Sequence, residues 1–152
     1  MKFEQRTILS LLTSALAVVL CVSCIAQEYE VNFRQYRESD GISNEQIRSL
    51  LFSSDGYLYV GTSEGLNRFD GTEFFVWRHD HQDQMSIAGN VISDLFEDTQ
   101  GRIWIATLDG GICRFDPRNQ SFKRLFLPSR TDGQNISLTY CISIDDNNNV
   151  LV

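Results

Sequence analysis

From residue 47 onward, hydrophobic residues occur in short runs separated by glycine, aspartate and asparagine. Short runs rich in β-branched and aromatic side chains are typical of strands and too short for helices. The first four predicted strands cover residues 47–53, 58–62, 66–70 and 74–78. Asp55-Gly56, Glu64-Gly65 and Asp70-Gly71 separate these strands, and glycine supplies the positive φ that a tight hairpin turn requires. The pattern therefore predicts a four-stranded antiparallel meander.

The same pattern returns 45 residues later in the chain. Leu58-Tyr59-Val60 corresponds to Ile103-Trp104-Ile105, and Thr62 corresponds to Thr107. A third copy begins at an offset of 47, where residues 150–152 correspond to residues 103–105. A period of about 40 to 50 residues with four strands per unit is typical of β-propeller blades, which bury their faces against neighbouring blades. We predict an all-β fold of two complete blades and a truncated third.

The first 26 residues have the pattern of a secretory signal. Lys2 and Arg6 precede a run without charged side chains from residue 8 to residue 25, and Ala26 closes it with a small residue. Cleavage between Ala26 and Gln27 is the favoured interpretation. Lipidation of Cys24 and an uncleaved anchor are the alternatives, since about 18 apolar residues can just span a bilayer. All three interpretations export the rest of the chain.

The repeat and the signal together divide the chain into five predicted segments. These are a signal peptide or anchor (1–26), an N-terminal strand that would close the ring of a full propeller (27–41), blade 1 (42–84), blade 2 (85–130) and a truncated blade 3 (131–152).

Composition and charge narrow the possible partners. The chain has 42% hydrophobic residues, which excludes disorder by composition, and its 13 basic and 20 acidic side chains give a net charge of −7. Such an acidic chain lacks the basic surface that phosphate-backbone binding needs, so we expect no nucleic acid partner.

Two polar segments contain possible metal ligands. His79-Asp80-His81 with Asp83 could bring two imidazoles and a carboxylate together, but a solvated loop between blades is favoured. Residues 145–149 alternate oxygen ligands as a calcium loop does, yet Val150 stands where the glycine should be. A turn equivalent to residues 98–101 is the favoured interpretation. We expect neither a metal nor another cofactor.

Four other side chains could contact or cleave a sugar. Trp77 and Trp104 could stack on a sugar ring, although a tryptophan inside an apolar strand is more often part of the core. Glu64 and Asp109 are a candidate acid–base pair, but they occupy equivalent positions in adjacent copies, so turn chemistry explains both. We predict no catalytic residue and therefore no enzymatic activity in this chain.

Two cysteines remain after the signal, Cys113 and Cys141. A disulfide between them is possible in an oxidising compartment. We favour two small buried hydrophobic side chains in unrelated strands.

Two motifs resemble a known family. Asp40-Gly41-Ile42-Ser43-Asn44 leads into the first copy, and residues 61–71 (GTSEGLNRFDG) follow. The second copy repeats this order in part, with Ser86-Ile87 before its first strand, residues 101–107 (GRIWIAT), and Gly110-Gly111 before residues 114–116 (RFD). These residues resemble the two-component regulator propeller repeats in the exported sensors of hybrid two-component systems, chiefly in Bacteroidetes. Tyr59 and Leu151 stand where the family has tryptophan, and Ala106 where it has glycine.

The resemblance implies a longer parent protein with many such repeats, a membrane helix and a histidine kinase. It further implies a periplasmic sensor of polysaccharide breakdown products that signals through a phosphorelay. The expected partners are an oligosaccharide, the remaining blades and a second copy in a homodimer. The ligand-binding residues are not predicted, because sugar contacts in such sensors come from loops of many blades. The alternatives are a secreted propeller that binds or cleaves polysaccharide, and the same sensor with another output, such as a cyclic dinucleotide synthase.

Overall fold

The computed structural model describes residues 31–125, 139–145 and 149–151. The chain divides into two units, Met1–Arg34 and Gln35–Val152. Of the first unit, residues 31–34 are described and contain no helix or strand. The predicted signal and its cleavage or lipidation residues (Ala26, Gln27 and Cys24) lie outside the described residues. All elements below belong to the second unit.

The described residues form a short 3-10 helix, Glu38–Asp40, followed by ten strands. The strands are β1 (Ile47–Phe52), β2 (Leu58–Thr62), β3 (Gly65–Phe69), β4 (Phe74–Trp77), β5 (Ile92–Glu97), β6 (Ile103–Thr107), β7 (Gly111–Asp116), β8 (Ser121–Leu125), β9 (Ser143–Ile144) and β10 (Val150–Leu151). The four strands predicted for the first copy agree with β1–β4 to within one residue at each end.

Each copy is an antiparallel meander, with strand orders β1-β2-β3-β4 and β5-β6-β7-β8. The predicted all-β fold of four-stranded blades is thus confirmed, and β9 pairs with β10 at the start of a third. Both complete sheets have the same register irregularity, between Ile47 and Ser49 in β1 and between Ile92 and Asp94 in β5. Such an irregularity is a β-bulge, which inserts one extra residue into a strand.

The two complete blades pack face to face around one core. Tyr59 and Leu66 of blade 1 are fully buried against Ile92, Ile105 and Phe115 of blade 2. The rings of Tyr59 and Phe115 meet edge to face, with centroids 6.2 Å apart. Because a four-stranded sheet has two faces and little interior of its own, this contact between blades supplies most of the core.

The third segment repeats the contact that joins blades 1 and 2. The backbone N–H of Leu95 donates to the hydroxyl of Ser49 at 3.2 Å, and the N–H of Ile142 donates to the carboxylate of Asp94 at 3.0 Å. Ile142 is buried with Ala106 and Ile112 in a second, smaller core. The short segment therefore lies against blade 2 as blade 2 lies against blade 1.

The other face of blade 1 is partly open. Tyr36 packs edge to face on the rings of Phe69 and Phe74, at centroid distances of 5.0 and 5.5 Å. Leu50 and Phe52 on the same sheet are 61% and 76% exposed. No strand is assigned to residues 31–37, the described part of the predicted N-terminal strand. The predicted strand would pair with the last blade of a closed propeller, and a strand is assigned only where it has a hydrogen-bonded neighbour. The N-terminal strand therefore stays a prediction.

A candidate ligand-binding face

One end of the two sheets carries most of the polar contacts between distant residues. This end, here called the upper face, consists of the turns β2–β3 and β6–β7 together with the lead-in to blade 1 (42–46) and the connection between blades (78–91). Surface turns positioned by a rigid sheet are where binding residues concentrate in proteins. The upper face is therefore the candidate functional site.

A buried polar network attaches the lead-in to blade 1. The side-chain oxygen of Asn67 accepts the backbone N–H of Ser43 at 2.8 Å, and its amide nitrogen donates to the hydroxyl of Ser43 at 2.8 Å and to the carbonyl of Val60 at 3.1 Å. The hydroxyls of Ser43 and Thr62 are 2.8 Å apart. Because Asn67 and Thr62 are fully buried, each of these bonds replaces one to water.

Blade 2 repeats the hydrogen bond of the buried threonine but not those of Asn67. Thr107 donates to the carbonyl of Gly111 at 2.8 Å, as Thr62 donates to that of Gly65 at 3.1 Å. Cys113 stands where blade 1 has Asn67, and its thiol is fully buried. Burial raises the pKa of Cys113 to about 12, although the nearby Ala88 N–H and Arg124 act in the opposite direction.

The two carboxylates of the candidate acid–base pair have different roles. The carboxylate of Asp109 accepts the backbone N–H groups of Asn90 at 3.0 Å and Val91 at 3.1 Å, so it caps the entry to β5. Glu64 is exposed, and its backbone N–H donates to the hydroxyl of Thr62 at 3.0 Å. Its turn contacts the same entry, because the N–H of Gly65 donates to the carbonyl of Asn90 at 2.8 Å. Asp109 is therefore occupied by the backbone, whereas the Glu64 carboxylate has no hydrogen-bond partner among the described residues.

Arg124 holds the connection between the blades in place. Its guanidinium donates to the carbonyls of Ser86 at 3.0 Å, Asp83 at 2.9 Å and Asp80 at 3.3 Å. These carbonyls lie 38 to 44 residues away in sequence, so no local pattern indicates this role. Sequence reasoning missed Arg124 for that reason.

The two histidines of the connection lie together. His79 Nδ1 is 2.7 Å from the carbonyl oxygen of Ile87, and His79 Nε2 is 3.2 Å from His81 Nδ1. The carboxylate of Asp83, the third proposed metal ligand, accepts the backbone N–H of Met85 at 2.8 Å. In the part of the chain that the structure describes, no group of three or more histidine, cysteine or acidic side chains is placed to hold a metal.

Arg48 lies at the start of β1, next to the upper face. It is exposed, and its Nε donates to the hydroxyl of Ser63 at 3.0 Å. Ser63 in turn donates to the side-chain oxygen of Gln46 at 3.0 Å. The guanidinium is thus held through Nε, while Nη1 and Nη2 have no hydrogen-bond partner among the described residues.

The opposite end of the sheets is organised by buried Asp98. Its carboxylate accepts the indole N–H of Trp104 at 2.9 Å, the Nε–H of Arg102 at 2.7 Å and the backbone N–H of Gln100 at 2.9 Å. Burial acts to raise the pKa of Asp98, but these hydrogen bonds outweigh it and hold the pKa below its ordinary value.

The third segment has the corresponding turn. Asp145 accepts the backbone N–H and the side-chain amide of Asn149, each at 2.8 Å, and donates its own N–H to the carbonyl of Asn149 at 3.0 Å. These bonds agree with the predicted turn; residues 146–148 of the calcium-loop alternative lie outside the described residues.

The candidate stacking tryptophans are both engaged within the protein. Trp77 packs against the core, with its ring centroid 4.9 Å from that of Phe115 and 6.1 Å from that of Phe122. Trp104 is half-buried and bonded to Asp98. The core interpretation is therefore the one that their contacts support.

Cys113 and Cys141 are both free, so the disulfide does not form. The prediction of a small buried side chain is right for Cys113 and wrong for Cys141, which is exposed. Cys141 occupies the position of Ser49 and Asp94, and in both blades that position is polar and half-buried at the edge of the sheet.

The fold and its repeated contacts define consecutive blades of a β-propeller. A family model described as two component regulator propeller matches residues 41–64 and 86–109, which cover the lead-in, first two strands and following turn of each blade. These two segments therefore match two-component regulator propeller repeats, in agreement with the sequence motifs.

The proteins to which the chain is similar are described as two-component signalling proteins or histidine kinases. A curated relative, histidine kinase P4 of Formosa agariphila, is 35% identical over 69 residues, which cover 45% of this chain and 5% of that protein. Two solved structures from B. thetaiotaomicron are described as extracellular domains of hybrid two component systems. For BT3049 the TM-score is 0.64 at 28% identity over 76% of this chain, and for BT4673 it is 0.64 at 26% identity over 80%. The chain spans only 16% and 17% of those domains.

Proposed function

We propose that this chain supplies blades of an exported sensor propeller in a two-component signalling protein, and that the ligand is an extracellular oligosaccharide. The observation that carries the proposal is the likeness of both blades to extracellular domains of hybrid two component systems, at 26–28% identity and a TM-score of 0.64. Propeller blades need neighbours to close a ring, so the remaining blades are partners. A second copy in a homodimer is proposed from the sequence resemblance alone.

The hydrogen bonds of the upper face support binding rather than catalysis. General acid–base catalysis needs a carboxylate free to exchange a proton with the substrate. Asp109 is committed to two backbone N–H groups, which leaves Glu64 without the second carboxylate of the candidate pair. This favours a sensor over the alternative of a polysaccharide-cleaving enzyme.

The polar groups of the upper face are suited to a hydroxylated ligand. Gln46, Ser63 and Arg48 present amide, hydroxyl and guanidinium groups on one strand edge and its adjoining turn. Sugar hydroxyls both donate and accept hydrogen bonds, so they match mixed groups of this kind.

Ligand binding is tested with the complete exported region of the protein, including all its blades. Calorimetric titration with a panel of neutral and acidic oligosaccharides should find at least one that binds. The same oligosaccharide, added to cells that carry the full protein, should induce a transcriptional reporter. Binding of an amino acid or peptide panel with no sugar response would contradict the carbohydrate proposal.

Export is tested on the same cells. Periplasmic protein should begin at Gln27 by N-terminal sequencing. A lipid-modified N-terminus at Cys24 would select the lipoprotein alternative, and an uncleaved chain in the membrane fraction would select the anchor. Among the residues that the structure describes, no helix is long and apolar enough to cross a membrane.

A further inference from the structure

The β-bulge at the start of each blade places one extra residue on the edge of the sheet. Ile47 pairs with Thr62 and Ser49 with Gly61, so Arg48 between them has no partner in the register. Ser93 occupies the same place between Ile92 and Asp94. Bulges commonly occur next to binding sites, where they redirect a side chain away from the regular pleat.

The edge that carries the bulges is the inner edge of the blades. β1 and β5 are the first strands of their sheets, and they lie side by side, with the hydroxyl of Ser49 donating to the carboxylate of Asp94 at 3.3 Å. In the third segment the equivalent position is Tyr140, which is 73% exposed. The two complete blades therefore each have one bulge residue on a common inner edge, and Tyr140 holds the corresponding sequence position in the third segment.

Arg48 is held in a fixed orientation. Its Nε–H is used by Ser63, and Ser63 is oriented by Gln46. Within the part of the chain that the structure describes, Nη1 and Nη2 have no hydrogen-bond partner and Arg48 forms no ion pair. A guanidinium oriented in this way offers two parallel N–H donors, which match the two oxygens of an anionic group.

The repeat shows that blade structure does not require this arrangement. Blade 2 has Ser93, Leu108 and Val91 at the positions of Arg48, Ser63 and Gln46, respectively. None of the three can reproduce the guanidinium, and blade 2 forms the same meander with the same bulge. The arginine and its two supporting side chains are therefore additions to the blade rather than parts of it.

We infer that Arg48 binds an anionic group of the ligand, so that the oligosaccharide is an acidic one bearing carboxylate or sulfate. This inference rests on the proposed function and narrows its ligand class. Ser63 and Gln46 act as positioning residues, since they orient the guanidinium without needing to touch the ligand. Tyr140 provides an aromatic surface at the equivalent position two blades further along.

The test compares charged and uncharged forms of one sugar. The complete exported region is titrated with oligogalacturonides, with their methyl esters, and with sulfated galactan oligosaccharides. The wild type should bind one of the two charged probes at least tenfold more tightly than the methyl esters. Arg48→Gln should remove that preference, and Ser63→Ala should weaken it severalfold. A preference for the sulfated probe would identify sulfate as the anion, and a preference for the oligogalacturonide would identify carboxylate.

Arg118→Gln is the matched control. Arg118 is also an exposed arginine, but it pairs with Asp116 at 2.9 Å on the outer part of blade 2, so its loss should leave the preference unchanged. Binding of a neutral oligosaccharide with equal affinity in the wild type and Arg48→Gln would overturn the inference and leave the proposed function standing. If no sugar binds while a peptide or amino acid does, the proposed ligand class fails and the inference fails with it.

Discussion

Substitution of Gly61 by alanine should weaken the packing between the two blades. Gly61 lies in β2 on the face that packs against blade 2, and a Cβ placed there would be 2.5 Å from Cγ2 and 3.0 Å from Cβ of Ile92. Carbon atoms in van der Waals contact are about 3.5–4.0 Å apart, so the added methyl overlaps Ile92 by about 1 Å. Ile92 is fully buried and β-branched, so it has little freedom to rotate away.

The expected change in the free energy of unfolding is the difference between a cost from overpacking and a gain from the unfolded chain. Overpacking in a well-packed core costs about 1–3 kcal/mol. Replacing glycine by alanine recovers about 0.4–1 kcal/mol by restricting the unfolded chain. We therefore expect Gly61→Ala to lower the free energy of unfolding by about 1–2 kcal/mol. With a urea slope of about 1–3 kcal/mol per M, the midpoint should fall by roughly 1 M.

The assay is urea unfolding at a low protein concentration, followed by tryptophan fluorescence, since Trp77 lies in the same interface between blades. A double-mutant cycle assigns the cause. Ile92→Leu moves the branch from Cβ to Cγ and so removes Cγ2, at a cost below about 1.5 kcal/mol by itself. If the clash with Cγ2 is responsible, Gly61→Ala should cost at least about 0.5 kcal/mol less in the Ile92→Leu background.

Additive effects of the two substitutions, or an unchanged midpoint for Gly61→Ala, would refute the reasoning. Blade 2 provides a natural comparison, because it carries Ala106 at the position of Gly61. Ala106 is fully buried against Ile142 in the second core. A methyl is therefore compatible with the strand itself, and the expected cost at Gly61 comes from the neighbour that it meets.

Asn67→Ala should lower the free energy of unfolding by about 2–4 kcal/mol in the same assay, because it leaves a cavity and deprives the buried N–H of Ser43 of its acceptor; a loss below about 0.5 kcal/mol would contradict this. The pKa of Asp98 is lower in the folded protein than in the unfolded chain, where it is about 3.9. Its contribution to the free energy of unfolding should therefore be full above a pH of about 3.9 and be lost as the pH falls through the folded pKa. Asp98→Asn should therefore flatten the acid side of the stability profile, and an unchanged profile would show that other carboxylates determine it. A thiol reagent at pH 8 should label Cys141 rapidly and Cys113 only on unfolding, because burial raises the pKa of Cys113 to about 12; equal labelling rates in the folded protein would be inconsistent with the packing of blade 2.

The sequence predicts the strands well because local rules decide them. Each strand of blade 1 is bounded by a turn that contains glycine, and Gly56, Gly65 and Gly71 all adopt positive φ, at 86°, 130° and 97°. Only glycine adopts such angles without strain, so the turn positions follow directly from the sequence. The position of each strand is then confined to the few residues between turns.

The contacts of the upper face could not be predicted in the same way. Arg124 reaches carbonyls 38 to 44 residues earlier in the chain, and Asp109 caps residues 90 and 91, only because the folded chain brings these segments together. Local sequence pattern carries no record of such distant contacts. The exposure of Cys141 is not predictable for a related reason, since an apolar residue type indicates burial only if the sheet edge on which it lies is covered.

Comparison of the two blades distinguishes positions that the fold requires from positions whose side chain the fold does not determine. Thr62 and Thr107 are identical, and each donates to the carbonyl of a glycine in the following turn. Ser49 accepts the N–H of Leu95, and in the next blade Asp94 accepts the N–H of Ile142. These positions therefore maintain the fold. Asn67 and Cys113 differ, but both are fully buried, so they are two solutions to the same packing requirement. The bulge position differs: Ser93 of blade 2 is half-buried and donates to the carbonyl of Thr139 in the next segment, whereas Arg48 of blade 1 is exposed. Packing therefore does not select the side chain of Arg48. A position that the fold leaves free in blade 1, and that presents an oriented guanidinium on the inner edge, is where selection by a ligand is expected to act.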